Sequence, residues 1–388
     1  MFSKKFLFRG VFVFLSFTAA SLVSCSLYQK DDTHLQKKMR DAYQVSAKLF
    51  SYVWNPSLFM DPATEKEVSS LLLRMKDDFH KIDSSDGQDP GFVIALGAQN
   101  RLIEDIIQRF DEGNKEYAWW KLKGVTHNCV ACHSRFSSRT DFIGVDVVAS
   151  DVTFESKIAV AEFLIASRQF SKASKELYRL AESLSKLEGG SSYAVQVLRL
   201  WLLVQVRVQE SYHGAASELA RIKDSGDFSV EQDNLISKWI VDLQGVQSEK
   251  AFVIKDPLYE AEMLLGTLIE DRTFAQDDED LVKTVRAGAI LHQFSLGDIQ
   301  KSKKPRLLML LGVSYQRLTI PSLKALSPVY FEQCIREFPG TEESKIAYAL
   351  YEKDFELLHT GSGGSHVSED EVSLLEELRQ IAFDLKKE

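Results

Sequence analysis

Apolar residues in this chain recur at intervals of three and four from Leu35 almost to the C-terminus, and hardly anywhere do they alternate. That spacing lines them up on one stripe of a helix with about 3.6 residues per turn, whereas a half-buried strand needs a period of two. An all-α fold is the expectation. The 388 residues are too many for one small domain and suit two or three, each large enough to bury a core.

The first segment carries Leu35, Met39, Ala42, Ser46, Leu49 and Val53 on one face and stops at Asn55-Pro56. Asp61-Pro62, a capping residue before a proline whose missing N–H is harmless in a first turn, predicts a second helix with Val68, Leu71, Leu72, Met75, Phe79 and Ile82 inward. After a polar turn from Ser84 to Gln88, Asp89-Pro90 repeats the signal for a third helix, with Phe92, Leu96, Gln99, Ile103, Ile106 and Phe110 inward. Gln99 is the one polar member of that stripe. The fourth helix begins near Gly113-Asn114, and Ala118, Leu122, Val125, Cys129, Cys132 and Phe136 share its seam. Four helices with one apolar face each and short connections pack economically as an antiparallel bundle, here over residues 34–145.

Residues 151–388 remain helical in pattern but change character. Ala161 to Leu164, with Phe170, Ala173, Leu177 and Leu180, resemble a helix–turn–helix unit of the tetratricopeptide kind. Leu311-Gly312, Tyr315, Phe331, Cys334 and Phe338-Pro339-Gly340 resemble a second, with extra residues between its helices. An array of helix pairs is expected here, offering a surface to a protein partner. Gly361 to Ser365 reads as a flexible turn. Ser368 with Glu371 resembles a capping box for a terminal helix carrying Val372, Leu374, Leu375, Leu378, Ile381 and Leu385, which would close the array.

At the other end, Lys4, Lys5 and Arg9 precede the apolar run from Val11 to Ala20, the pattern of an export signal and too short for a confident membrane span. Leu22-Val23-Ser24-Cys25 resembles the lipobox of bacterial lipoproteins. The resemblance implies that residues 1–24 are a signal peptide and that Cys25 carries lipid. A polar tether, residues 25–33, would then hold the protein at a membrane of the cell envelope, facing the periplasm. Ser26 in place of aspartate implies release toward the outer membrane, by the sorting rule of enterobacterial lipoproteins. The formal charge is −9, and because residues 1–24 hold three cations and no acid, the remainder is three units more negative. Such a balance argues against nucleic acid, whose phosphates demand a basic footprint, and suits a basic-faced protein partner.

The sequence Cys129-Val130-Ala131-Cys132-His133 carries the chemistry. On one helical turn two thiols can reach the two vinyl groups of a porphyrin, and the next residue sets an imidazole beneath the iron. The expected cofactor is one covalently attached haem c, with Cys129 and Cys132 as thioethers and His133 as proximal iron ligand. The other nitrogen of the His133 ring would donate to a carbonyl, carboxylate or water. A thioredoxin-like pair needs a βαβ setting, a structural zinc site needs four ligands, and a plain disulfide leaves His133 unexplained. With Cys25 lipidated and Cys334 alone, a buried inert thiol, no disulfide is expected. No Gly-rich phosphate loop, zinc-protease motif or nucleophile elbow marks an enzyme site, and His213, His292, His359 and His366 are scattered singly. His80 and His127 read as surface or capping residues, Trp119 and Trp120 as core.

The motif lies near the end of the fourth helix, with Phe136 and Arg139 behind it. That position resembles the class II c-type cytochromes, four-helix bundles that include cytochrome c prime, over about residues 33–142. In that family the other axial side faces the first helix, where a methionine ligates iron or the site stays open. The resemblance therefore implies Met39 as candidate distal ligand; His34, five residues earlier, is rotated away. It also implies one-electron transfer with a redox partner rather than catalysis. Two alternatives stand beside this reading: a haem-based sensor or binder of gas ligands with an open sixth site, and a structural lipoprotein that organises an envelope complex.

Overall fold

The computed structural model describes residues 32–83, 90–135, 154–249, 256–266, 278–324, 326–361, 364–365 and 369–384. The leader, Cys25, most of the tether, the turn from Ser84 to Gln88, Phe136, Arg139, Ser368 and Leu385 lie outside the described residues. The chain is all-α, apart from one two-residue ladder.

Helix α1 spans Asp32–Val53, so the last two tether residues are helical, and its stripe of Ala42, Val45, Leu49, Phe50 and Val53 is buried. Asn55-Pro56 does stop it, but by starting another helix. Asn55 Oδ1 accepts from the Leu58 N–H at 3.1 Å, Pro56 takes the first helical position, and the five-residue α2, Pro56–Met60, results. Its Phe59 is wholly buried, edge-on to Phe110 with ring centroids 5.5 Å apart. Asp61-Pro62 makes a turn, not a helix start: Asp61 Oδ1 accepts from the Ala63 N–H at 2.9 Å and the Asp61 carbonyl from the Thr64 N–H at 3.1 Å. Helix α3, Glu65–His80, therefore begins beyond Thr64.

Helix α4 is Pro90–Asp111, and all six residues of its expected stripe, Gln99 included, are buried. It ends in a Schellman turn with Gly113 at φ +83°, where the Asn114 N–H reaches the Arg109 carbonyl at 2.9 Å and the Gly113 N–H the Phe110 carbonyl at 3.1 Å. Asn114 then caps α5, Lys115–His133, by accepting from the Tyr117 N–H. A stop and a start in adjacent residues fold α5 back along α4, and α1, α3, α4 and α5 pack in succession.

Beyond residue 153 follow α6 (Phe154–Ala166), α7 (Phe170–Ser185) and α8 (Ser191–Leu203), the last running on as a π-helical segment, Val204–Val208. Then come α9 (Tyr212–Ser225), α10 (Val230–Glu249), α11 (Pro257–Leu265), α12 (Leu281–Ser295) and α13 (Lys304–Arg317). The short α14 (Pro321–Lys324) supplies the extra residues before α15 (Ser327–Glu337), with α16 (Glu342–His359) and α17 (Glu369–Ala382) closing the chain. Sequential neighbours pack: α6 on α7, α7 on α8, α9 on α10, α11 on α12, α13 on α15 and α15 on α16. Where a flexible turn was expected, Thr360 pairs with Ser365 and Gly361 with Gly364 in an antiparallel ladder. In α17, Leu378 and Ala382 are buried whereas Val372 is exposed, so the apolar stripe starts at Leu374 and not at Val372.

Two apolar clusters form, and each borrows from the other's chain segment. The N-terminal cluster takes Phe163 from α6, which stacks on Phe50 at 4.1 Å and on Tyr43 at 5.2 Å. The C-terminal cluster takes Val130 and Ala131 from the end of α5. Residues 34–145 and 151–388 thus do not close separate cores. No described helix is long and apolar enough to cross a membrane.

Candidate functional site

The last turn of α5 is wedged between the two clusters, and its residues divide by face. Val130 and Ala131, the two residues between the cysteines, are buried against the C-terminal helices. Cys129 and Cys132, three apart and on one helical face, line with His133 a cavity of about 700 Å³ counting its open mouth, and Cys129 also packs against the C-terminal cluster. Met39 and Tyr43 of α1, Phe92, Leu96 and Gln99 of α4, and Phe163 of α6 complete its walls. The cavity therefore gathers Cys129, Cys132, His133 and Met39 from two helices. His34 is exposed, and Cys25 lies outside the described residues.

Among the described residues neither motif cysteine is in a disulfide, and both are half-buried. Burial, reinforced by the neighbouring Cys132, pushes the Cys129 thiol up to about 12. A redox-active dithiol needs the opposite, a thiolate stabilised near neutral pH. Among the described residues no three His, Cys, Asp or Glu side chains converge as a metal cage would require.

His133 is fixed by a helix end. Helix α6 terminates with Arg168 in the left-handed region at φ +59°, the Gln169 N–H bonding the Leu164 carbonyl at 2.8 Å and the Arg168 N–H the Ile165 carbonyl at 2.9 Å. The Ala166 carbonyl, among those that a helix end leaves without an intrahelical partner, accepts a short hydrogen bond from His133 Nδ1. With Nδ1–H donating, the remaining ring nitrogen, Nε2, bears the lone pair. Burial, then Arg168 and Arg135, pull the imidazole down to about 3 against the opposing effect of the Ala166 carbonyl. At neutral pH the ring is uncharged, the state in which imidazole binds a metal.

Neither a protein-family model, nor a curated protein, nor a solved structure matches the chain. The site stands on its own geometry.

Arg135 was not singled out by sequence, because one arginine in a polar stretch carries no signal. It is 3% exposed; its Nε donates to the Cys132 carbonyl at 3.2 Å, Nη2 to Cys132 Sγ at 3.1 Å and Nη1 to the Tyr330 hydroxyl at 3.5 Å. It ties the motif to α15. Gln99 is also more than a polar entry in a stripe: it is 3% exposed, lines the cavity, and neither atom of its amide has a hydrogen-bond partner among the described residues.

The remaining sequence candidates separate from this cavity. His80 sits at the exposed end of α3 beside Glu104 at 3.3 Å. His127 pairs with Glu162 of α6 at 3.4 Å in a second, wider cleft on another face of α5, of about 1190 Å³ counting open space, which holds no thiol. Trp119 is structural, its Nε1 donating to the Val53 carbonyl at 3.0 Å and the Tyr52 carbonyl at 3.2 Å. Trp120, expected in the core, is 61% exposed; it lies on the outer face of α5 beside Tyr117 and under Lys121.

Proposed function

We propose that this chain is a lipid-anchored c-type cytochrome of the periplasm, a haem-bearing helical bundle followed by a tetratricopeptide-like array that docks a protein partner. The observation that carries the reading is the shared cavity: two cysteines one turn apart and a neutral imidazole, oriented by the Ala166 carbonyl, face the same apolar space. A haem held there by thioethers to Cys129 and Cys132 would supply one-electron redox chemistry to the chain. His133 would bind iron through Nε2, and the Ala166 carbonyl would hold the ring's orientation and raise its basicity. Met39 lines the cavity from α1 and would be the candidate to supply a thioether ligand to the iron. Phe92, Leu96 and Phe163 give the cavity apolar walls, which would limit water around a bound haem. The acidic balance of the chain suits a basic-faced redox partner.

A second reading draws on Gln99. A buried amide in that cavity, without a hydrogen-bond partner among the described residues, would hydrogen-bond a small diatomic ligand in a gas-ligand binder.

Absorption spectra of the full chain, matured with a c-type haem assembly system, separate the two. For the electron carrier, oxidised and reduced spectra are low-spin, carbon monoxide changes them little, and Met39→Ala removes the methionine-to-iron band. A high-spin spectrum that shifts with carbon monoxide, ignores Met39→Ala and changes in carbon monoxide affinity with Gln99→Leu belongs to the open-site binder. Absence of any haem spectrum defeats both.

A further inference from the structure

The π-helical segment that ends α8 carries a second charged residue that the site above does not use. Arg207 is 2% exposed, and among the described residues its Nε, Nη1 and Nη2 have no hydrogen-bond partner. The guanidinium lies over the Tyr315 ring at 5.4 Å from its centroid. On another side it meets Gly288 of α12 so closely that a Cβ there would lie 2.5 Å from Nη2. Ser314 is close by, but its hydroxyl donates to the Leu311 carbonyl at 2.8 Å. His292, whose Nε2 lies 2.8 Å from the Tyr315 hydroxyl, feels Arg207 and Arg135 and is held uncharged by burial and by those two cations.

These surroundings are polarisable and polar, and among the described residues no carboxylate pairs with Arg207. A guanidinium cannot discard its proton as a buried lysine or histidine can. Burying such an ion without a counter-charge is costly even after the protein relaxes, and an aromatic face offsets only part of that. A local turn to π geometry, which such segments often adopt at functional sites, points this side chain into the interior.

We propose that Arg207 holds a small monovalent anion, of the size of chloride or nitrate, between the π-helical segment, α12 and α13. One unpaired charge calls for one negative charge. With the guanidinium filling the place of a Gly288 side chain and Arg207 2% exposed, only a small ion could sit beside it, and Arg207 lines neither the motif cavity nor the cleft beside it. The anion neutralises the interior on which the C-terminal helices pack, so binding is linked to folding. The inference is independent of haem.

Thermal unfolding of the full chain in chloride, nitrate or gluconate at one ionic strength tests it. The midpoint should rise saturably with chloride and nitrate, by about 3–4 °C at a hundredfold excess over the dissociation constant, and not with gluconate, which is too large to enter. Arg207→Met, which keeps the stem and removes the charge, should lose the dependence and exceed the wild type in gluconate. Crystals grown in bromide should show an anomalous peak within hydrogen-bonding distance of the guanidinium, a readout that stands even if the variant fails to fold. Equal midpoints in all three salts, a dependence that survives Arg207→Met, or no bromide peak at Arg207 would overturn the proposal.

Discussion

Two histidines, His133 half-buried and His292 fully buried, show how context assigns different work to one side chain. His133 meets a helix-end carbonyl through Nδ1 and opens on a cavity; His292 meets the Tyr315 hydroxyl, packs near Tyr330, and is enclosed. Burial, Arg135 and Arg207 all lower the affinity of His292 for a proton. Its folded pKa therefore lies below the unfolded value, and as pH falls through about 6.5 the unfolded chain takes up a proton that the native chain refuses. Stability should then fall with pH more steeply in the wild type than in His292→Gln, by about 1.4 kcal/mol per unit between pH 6.5 and 5. Denaturant melts across that range check the difference. Parallel pH profiles for the two proteins would mean that His292 titrates normally.

At the scale of elements, one glycine decides whether α13 and α15 can approach. A Cβ on Gly312 would lie 2.4 Å from Cε1 and 2.5 Å from Cδ1 of the wholly buried Phe331. In an isolated helix Gly→Ala stabilises, by roughly 1 kcal/mol. Here Gly312→Ala should instead destabilise by about 1–3 kcal/mol, since the ring must leave its place; urea unfolding of the two proteins measures the sign. The stripes of α1, α3, α4 and α5 were readable because apolar spacing reports directly which face is buried. Boundaries were less so. Asp61-Pro62 and Asp89-Pro90 look alike, yet helix α4 begins at Pro90 whereas Asp61 spends its side chain on the Ala63 N–H and starts a turn. That Cys129, Cys132 and His133 share one helix end was legible because local spacing on a helix decides it. The groups that orient them, Ala166 and Arg135, become partners only through packing between α5, α6 and α15, and no short-range pattern encodes that.

The whole molecule is interlocked rather than modular. Phe163 of α6 fills the N-terminal core, Val130 and Ala131 of α5 fill the C-terminal one, and the carbonyl that holds His133 comes from across that junction. A fragment ending at residue 145 lacks Phe163 and Ala166, so it should lose the cooperative thermal transition that a fragment ending after α7 retains, as circular dichroism would show. A sharp transition in the shorter fragment would mean that the bundle is self-sufficient. The central claim, that Cys129 and Cys132 hold a haem with His133 at the iron, has a more direct test. The full chain is matured beside a c-type haem assembly system and its intact mass is recorded under denaturing conditions. The account predicts a gain of one haem that survives denaturation and disappears in Cys129→Ala with Cys132→Ala; an unmodified mass for the wild-type chain would contradict it.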